Sequence, residues 1–327
     1  MSSDVEKKLI NYIIGFTLSL PIILIYLYIF ITSMDIALDR INYIEIMANP
    51  FQGREEPLIH YYSYISGKII ESSVVKLVFL QFLAILLLLA TLIKTFKVYN
   101  LGNFVKLLTS LLIFFSVFSN MLGVQLRIGY ATILFLFIAF YLNKKPNIRN
   151  SAYYLVPCLM HMGVILPVIL YYLFHYLKIN NRRRYIFFVL FFIISSTFLV
   201  KFLPYFLQII GINAYYFDYL DSDQEFGRKY PFSVIFYLFI CFLTFFYSKH
   251  KDVNYWYGLS GICLIYMGIF LDLYLAFKML IAVTSFLYIY IISSIPSKLL
   301  NSYFLIVVLI LIFPISFLMF MQQVGLL

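Results

Sequence analysis

The sequence predicts an all-α fold: one polytopic membrane domain, residues 1–327, of about ten transmembrane helices. Three observations lead there. The chain is 64% hydrophobic and 12% charged, with a mean hydropathy of +0.96, which is far more apolar than an ordinary soluble domain. Apolar runs of roughly 20 residues, the length that carries a helix through a hydrocarbon core about 30 Å thick, recur from residue 9 to residue 321. The short alternating segments of a membrane barrel are missing, and backbone in lipid must close its hydrogen bonds internally, so the runs are helices.

In chain order the runs are 9–33, 73–93, 103–121, 126–142, 152–177, 184–210, 232–248, 255–271, 279–296 and 302–321. The first follows MSSDVEKKLI, which lacks the small-residue cleavage site of a removed signal peptide, so it is expected to stay as a span. The loops at 97–106, 143–149 (NKKPNIR), 178–184 (KINNRRR) and 248–251 are basic, as is Lys298. With Lys7 and Lys8, the positive-inside rule places them in the cytoplasm. The inner side then holds 15 of the 24 Lys and Arg. The outer side takes 11 of the 14 acids: six in an outer loop at about 34–72, four in a second at about 213–231, and Asp272. Both loops exceed what a simple connection needs.

Segment 152–177 strains this scheme, because a single crossing would put KINNRRR outside. Pro157, Gly163 and Pro167 weaken its middle. One reading is a re-entrant helix pair that enters from the cytoplasm, turns near His161-Met162-Gly163 and returns, each arm about half a bilayer deep. The other is a straight span with a misplaced arginine cluster.

Several function classes fall away. Cys158, Cys241 and Cys263 lie in apolar runs without ligand spacing, implying neither a disulfide framework nor structural zinc. The formal charge of +10 does not mark a nucleic-acid binder, since the bases sit in short loops between spans. P-loop, GxSxG and HExxH motifs do not occur. DSDQE, at 221–225, lacks the glycine and the terminal glutamate of a calcium loop, so no metal is expected. Asp272 lies toward a span end and gives little support for a proton relay.

The residues that remain cluster on the outer side. Arg127 opens a helix in FSNMLGVQLRIGYATILFLF, where a guanidinium joins free N–H groups and the positive end of the helix dipole, a natural seat for phosphate. Snorkelling to the headgroups is the competing reading. His161, flanked by methionines, reads either as a hydrogen-bond partner for a substrate hydroxyl or carboxylate, or as a satisfied core group. His175 and His250 read as interfacial. The stretch NPFQGREEPLIHYYSYISGKIIE sets Arg54, Glu55 and Glu56 before Pro57, then His60, Tyr61, Tyr62 and Tyr64. Carboxylates accept protons from sugar hydroxyls, and aromatic faces pack on the C–H side of a pyranose; a solvated acidic loop with interfacial tyrosines reads from the same letters. The second outer loop repeats the mixture, ending in Arg228 and Lys229.

An acid before proline (Glu56-Pro57), an arginine opening a span in LRIGYATILFLFIAFYLNKKP, and a histidine about 34 residues later in YYLVPCLMHMGVILPVILYYL follow one another over about 45–177. This order resembles the EpsG-like branch of the Wzy-type O-antigen and exopolysaccharide polymerases. In such families the histidine is followed by Ser or Thr, whereas Met162-Gly163 follows His161 here. The resemblance implies a metal-independent, cofactor-free glycosyltransferase of GT-C-like fold in the bacterial inner membrane, its active site facing the periplasm. Its substrates would be undecaprenyl-diphosphate-linked oligosaccharides, and its further partners membrane lipids and a chain-length regulator protein. Arg127 would receive the departing diphosphate with Arg228, Lys229 or Arg54 assisting. Glu56 would serve as base and His161 as orienter, with Glu55 and His60 binding substrate. Two other classes share the hydropathy: a lipid-linked oligosaccharide flippase, expected to show two similar halves, and a membrane O-acyltransferase, expected to carry His and Arg early in the chain.

Overall fold

A computed structural model describes residues 38–51, 57–99, 126–176, 182–209, 231–247 and 253–270, with 280 and 283. These residues are all-α, with no strand among them. Nine α-helices follow in order: α1 Leu38–Ala48, α2 Pro57–Ser66, α3 Ser73–Tyr99, α4 Leu126–Leu136, α5 Ser151–Met160, α6 Ile165–Tyr176, α7 Arg182–Ile209, α8 Pro231–Tyr247 and α9 Val253–Phe270. Six of the apolar runs thus coincide with helices; 9–33, 103–121, 279–296 and 302–321, and the loop at 213–231, lie outside the described residues.

The stretch expected as an outer loop, 34–72, contains two helices, α1 and α2. Tyr43, Ile46 and Met47 of α1 are buried while Ile41, Asn42 and Glu45 are exposed, the i, i+3, i+4 pattern of an amphipathic helix. In α2 Pro57 occupies the first position, where its missing N–H costs nothing, and Ile59, His60, Ser63 and Ser66 form the inward face. Side chains close the end of α1. Ser63 Oγ donates to the carbonyls of Ile46 (2.9 Å) and Met47 (3.2 Å), and the buried Lys76 Nζ donates to Met47 O at 2.9 Å.

Helix α3 is apolar on both sides. Leu77, Leu80, Ala84, Ile85, Leu88 and Leu92 are buried; Val75, Phe79, Phe82, Leu86 and Ile93 form an exposed stripe. Its Ser73–Thr95 segment, 23 residues, is the one helix among the described residues long and apolar enough to cross a membrane. Thr91 and Thr95 satisfy their hydroxyls on the carbonyls of Leu87 and Thr91, one turn back. α1 touches the beginnings of both α3, through Lys76, and α4, through Arg127 with Tyr43. At the other end Lys94 of α3 donates to the Tyr141 carbonyl and lies over its ring. α3 and α4 therefore run in the same direction. α4 itself continues as a π-helical turn, Phe137–Tyr141, closed by Leu142 N–H on Phe137 O at 2.9 Å.

The chain reverses between α5 and α6. His161 takes an extended conformation (φ −160°, ψ 124°), a 3₁₀ turn spans Met162–Val164, and α6 starts at Ile165. Pro157 inside α5 removes one rung of its ladder, and Pro167 falls in the opening turn of α6, where a missing N–H is harmless. The arms close at their base: Tyr172 OH donates to Asn147 O (3.4 Å) and Tyr176 OH to Pro146 O (3.2 Å). Tyr154 sits against Tyr171 and Tyr172, with centroids at 5.7 and 5.5 Å. The result is a helical hairpin that turns at the residues expected from sequence, each arm about 15–18 Å long at 1.5 Å per residue.

Among the described helices, α8 and α9 pack most closely. A β-carbon on Gly258 would come within 2.9 Å of Cys241 O and 3.0 Å of Phe245 N, and one on Gly261 within 2.2 Å of Cys241 Sγ. α9 in turn holds the hairpin, since the buried Tyr257 hydroxyl donates to the Pro167 carbonyl. Phe174, Phe188 and Trp256 complete the contact among α6, α7 and α9, with centroids 5.4–6.1 Å apart.

Candidate functional site

Arg127 is the second residue of α4, as the sequence predicts. Its guanidinium lies 5.7 Å from the centroid of the Tyr43 ring, and its own N–H donates to Tyr43 OH at 3.5 Å. A tyrosine of α1 thus holds both backbone and cation at the head of α4. The position combines a half-buried delocalised charge with the opening N–H groups of a helix, the arrangement that receives anions.

The tip of the hairpin meets the same turn. A β-carbon on Gly163 would stand 3.4 Å from Ile128 Cδ1, next in sequence to Arg127, and 3.1 Å from His161 Cε1 and Nδ1. Ile128 lies 13 residues before Tyr141, about 20 Å up α4 from the hairpin's base. The half-buried His161 accepts the Gly163 N–H through Nδ1 at 2.8 Å, so it caps the 3₁₀ turn. With Nδ1 accepting, the neutral ring carries its hydrogen on Nε2. Such an imidazole donates from Nε2; it orients a partner rather than taking a proton from it.

α2 flanks this region, packing against α1 and α5. Tyr62 OH donates to Lys76 O at 2.6 Å. Burial, with the neighbouring Tyr130 ring adding to it and Ser66 opposing, pushes the Tyr62 phenol up to about 12, so it stays a neutral donor. Tyr130 follows Arg127 by one turn on α4, which links α2 to the arginine-bearing end of that helix.

His60 is placed differently from the expectation of a loop residue turned toward substrate. It is 3% exposed, inside α2, and its Nδ1 accepts the Phe51 N–H at 3.2 Å. It braces the turn that precedes residue 52. Phe51 adopts a left-handed φ of 72°, which costs a non-glycine residue about 1 kcal/mol, and its ring stacks on His60 at 6.0 Å. Phe51, Tyr61 and Tyr64 are half exposed, and the Phe51 ring contacts those of Tyr61 and Tyr64 at 5.5 and 5.8 Å, so it joins the aromatic series.

Arg127 and His161 are therefore brought to one end of the bundle by α4 and the hairpin, and His60 serves the turn beside α2. Arg54, Glu55, Glu56, Arg228 and Lys229 lie outside the described residues. Pro57, which follows Glu56, begins the helix packed against α5. Sequence reading passed over Tyr43 and Lys76. The helical spacing of Tyr43, Ile46 and Met47 was the available signal, hidden by Asp39, Arg40 and Glu45 around it. Comparison with known proteins yields no match to a family model, a curated protein or a solved structure.

Proposed function

We propose that the chain is a polytopic, GT-C-like glycosyltransferase of the bacterial inner membrane that polymerises undecaprenyl-diphosphate-linked oligosaccharides at the periplasmic face. The membrane part is supported by α3, whose two apolar stripes have no counterpart in a helix with one face in water, and by the exposed Phe187, Phe191, Ile194, Phe198 and Phe202 of α7. The observation that carries the chemical part is the meeting of the Arg127 turn with a helix break bearing His161. Irregular backbone at membrane depth persists where protein buries it or a watery cavity adjoins it, and a cation there suits an anionic headgroup.

The proposed reaction is a glycosyl transfer. A hydroxyl oxygen of the acceptor's terminal sugar attacks the anomeric carbon of the donor chain; the carbon–oxygen bond to the diphosphate breaks, and its electron pair leaves with undecaprenyl diphosphate. Arg127 neutralises the charge gathering there, with Arg54, Arg228 or Lys229 assisting. Glu56 takes the hydroxyl proton, with Glu55 beside it in sequence, and His161 orients the acceptor through Nε2–H. Purified protein given lipid-linked repeat units is expected to yield a ladder of longer lipid-linked products. Units carried across a vesicle bilayer without elongation would instead assign a flippase.

Capping and chemistry at His161 separate experimentally. His161→Ala loses the cap, about 1 kcal/mol of stability, and slows elongation about tenfold. Asparagine, a good cap, is expected to restore the unfolding temperature and leave elongation slow. Full recovery of elongation in His161→Asn reduces the histidine to a structural cap.

A further inference from the structure

The opposite end of the bundle carries an organised surface of its own. Between residues 72 and 217 the chain has thirteen Lys and Arg and no Asp or Glu, so α4, the hairpin and α7 hold no carboxylate. At the hairpin's base the chain runs Leu142-Asn143-Lys144-Lys145-Pro146-Asn147-Ile148-Arg149-Asn150, and it is tightly tied. Asn143 turns it with a φ of 49°, a conformation asparagine tolerates. Asn150 N–H donates to Asn147 Oδ1 (2.8 Å), Asn150 Nδ2 to Lys145 O (2.7 Å) and Ser151 Oγ to Asn147 O (3.1 Å). Tyr154, Tyr172 and Tyr176 donate to the carbonyls of Lys144, Asn147 and Pro146.

None of these bonds uses the side chain of Lys145, Ile148 or Arg149. Lys145 and Arg149 are exposed, and between them Ile148 is 92% exposed. Lys144 Nζ lies 4.9 Å from the centroid of the exposed Tyr153 ring, and Tyr176 is exposed nearby. A loop held this firmly presents an aliphatic tip flanked by two cations and rimmed by tyrosines. Its partner must offer anions and hydrocarbon within a few ångströms of each other. Nucleic acid supplies only the first; an anionic lipid leaflet supplies both.

We infer that residues 142–150 dock anionic phospholipid headgroups, with lipid phosphate on Lys145 and Arg149 and Ile148 among the upper acyl carbons. The inference rests on the membrane part of the reading above and not on its sugar chemistry. The test uses the full chain in non-ionic detergent, offered phosphatidylglycerol and phosphatidylcholine in equal amounts, with retained lipid counted by native mass spectrometry. The unaltered chain is expected to prefer phosphatidylglycerol. K145Q/R149Q is expected to lose that preference by about fivefold per charge removed, roughly 25-fold in all, whereas K145R/R149K keeps it, which separates charge from folding. Ile148→Ser lowers retention of both lipids and leaves the preference unchanged.

Equal retention of the two lipids by the unaltered chain, an undiminished preference in K145Q/R149Q, or unchanged retention in Ile148→Ser overturns the inference. Elongation reads the other end of the bundle. A failed ladder with the lipid preference intact removes the polymerase reading alone, and the reverse result removes this one alone.

Discussion

Arg127→Ala is expected to slow elongation about a hundredfold, close to 3 kcal/mol of transition-state stabilisation, while substrate still binds. In the proposed reaction the negative charge on the leaving diphosphate grows only as the glycosidic bond breaks, so a fixed cation acts on the barrier more than on the bound ground state. Arg127→Lys should recover part of the rate, because an ammonium keeps the charge but not the planar fork. Tyr43→Ala removes the ring 5.7 Å from the guanidinium and should act in the same direction more weakly. Product ladders resolved over time give the rates, and thermal unfolding of each variant in detergent keeps folding separate. An Arg127→Ala protein that elongates at the normal rate sinks the proposed role.

The second large effect is one of packing. Gly258→Val is expected to destabilise the protein by about 3 kcal/mol, since its side chain would meet the Cys241 carbonyl and the Phe245 backbone, neither of which can move without shifting α8. Small residues let two helices approach to backbone contact, and in lipid that close packing is a principal source of cohesion. The damage should reach the hairpin, because Tyr257, adjacent to Gly258, donates to the Pro167 carbonyl. A lowered unfolding temperature together with slowed elongation is the expected pair of results. An unfolding temperature equal to that of the unaltered chain refutes the close α8–α9 contact.

Much of the helical layout was legible because hydropathy is a local property. The runs at 73–93, 126–142, 184–210, 232–248 and 255–271 match helices to within a few residues, α3 extending further, to Tyr99. Pro157, Gly163 and Pro167 marked the broken segment, since each acts on the backbone at its own position. The helices within 34–72 were not legible, because charge stood out over spacing there. Asp39, Arg40 and Glu45 lie within α1, whose inward stripe of Tyr43, Ile46 and Met47 is too short to stand out in an averaged hydropathy window. His60 misled for a related reason: it was read together with Arg54, Glu55 and Glu56 as part of a charged loop, whereas it lies on the inward face of α2.

Composition and spacing alone indicate that the described residues are helical, where six of the apolar runs lie, that Arg127 opens one helix and that the segment around His161 is weak. Each of these depends on a residue and its near neighbours. Folding in three dimensions decides that Tyr43, 84 residues away, supports Arg127, that the hairpin tip reaches the same turn through Gly163 and Ile128, and that Lys76 closes α1. Those pairings depend on which helix faces meet, and a face acquires its partner only when distant segments exclude one another from the remaining space.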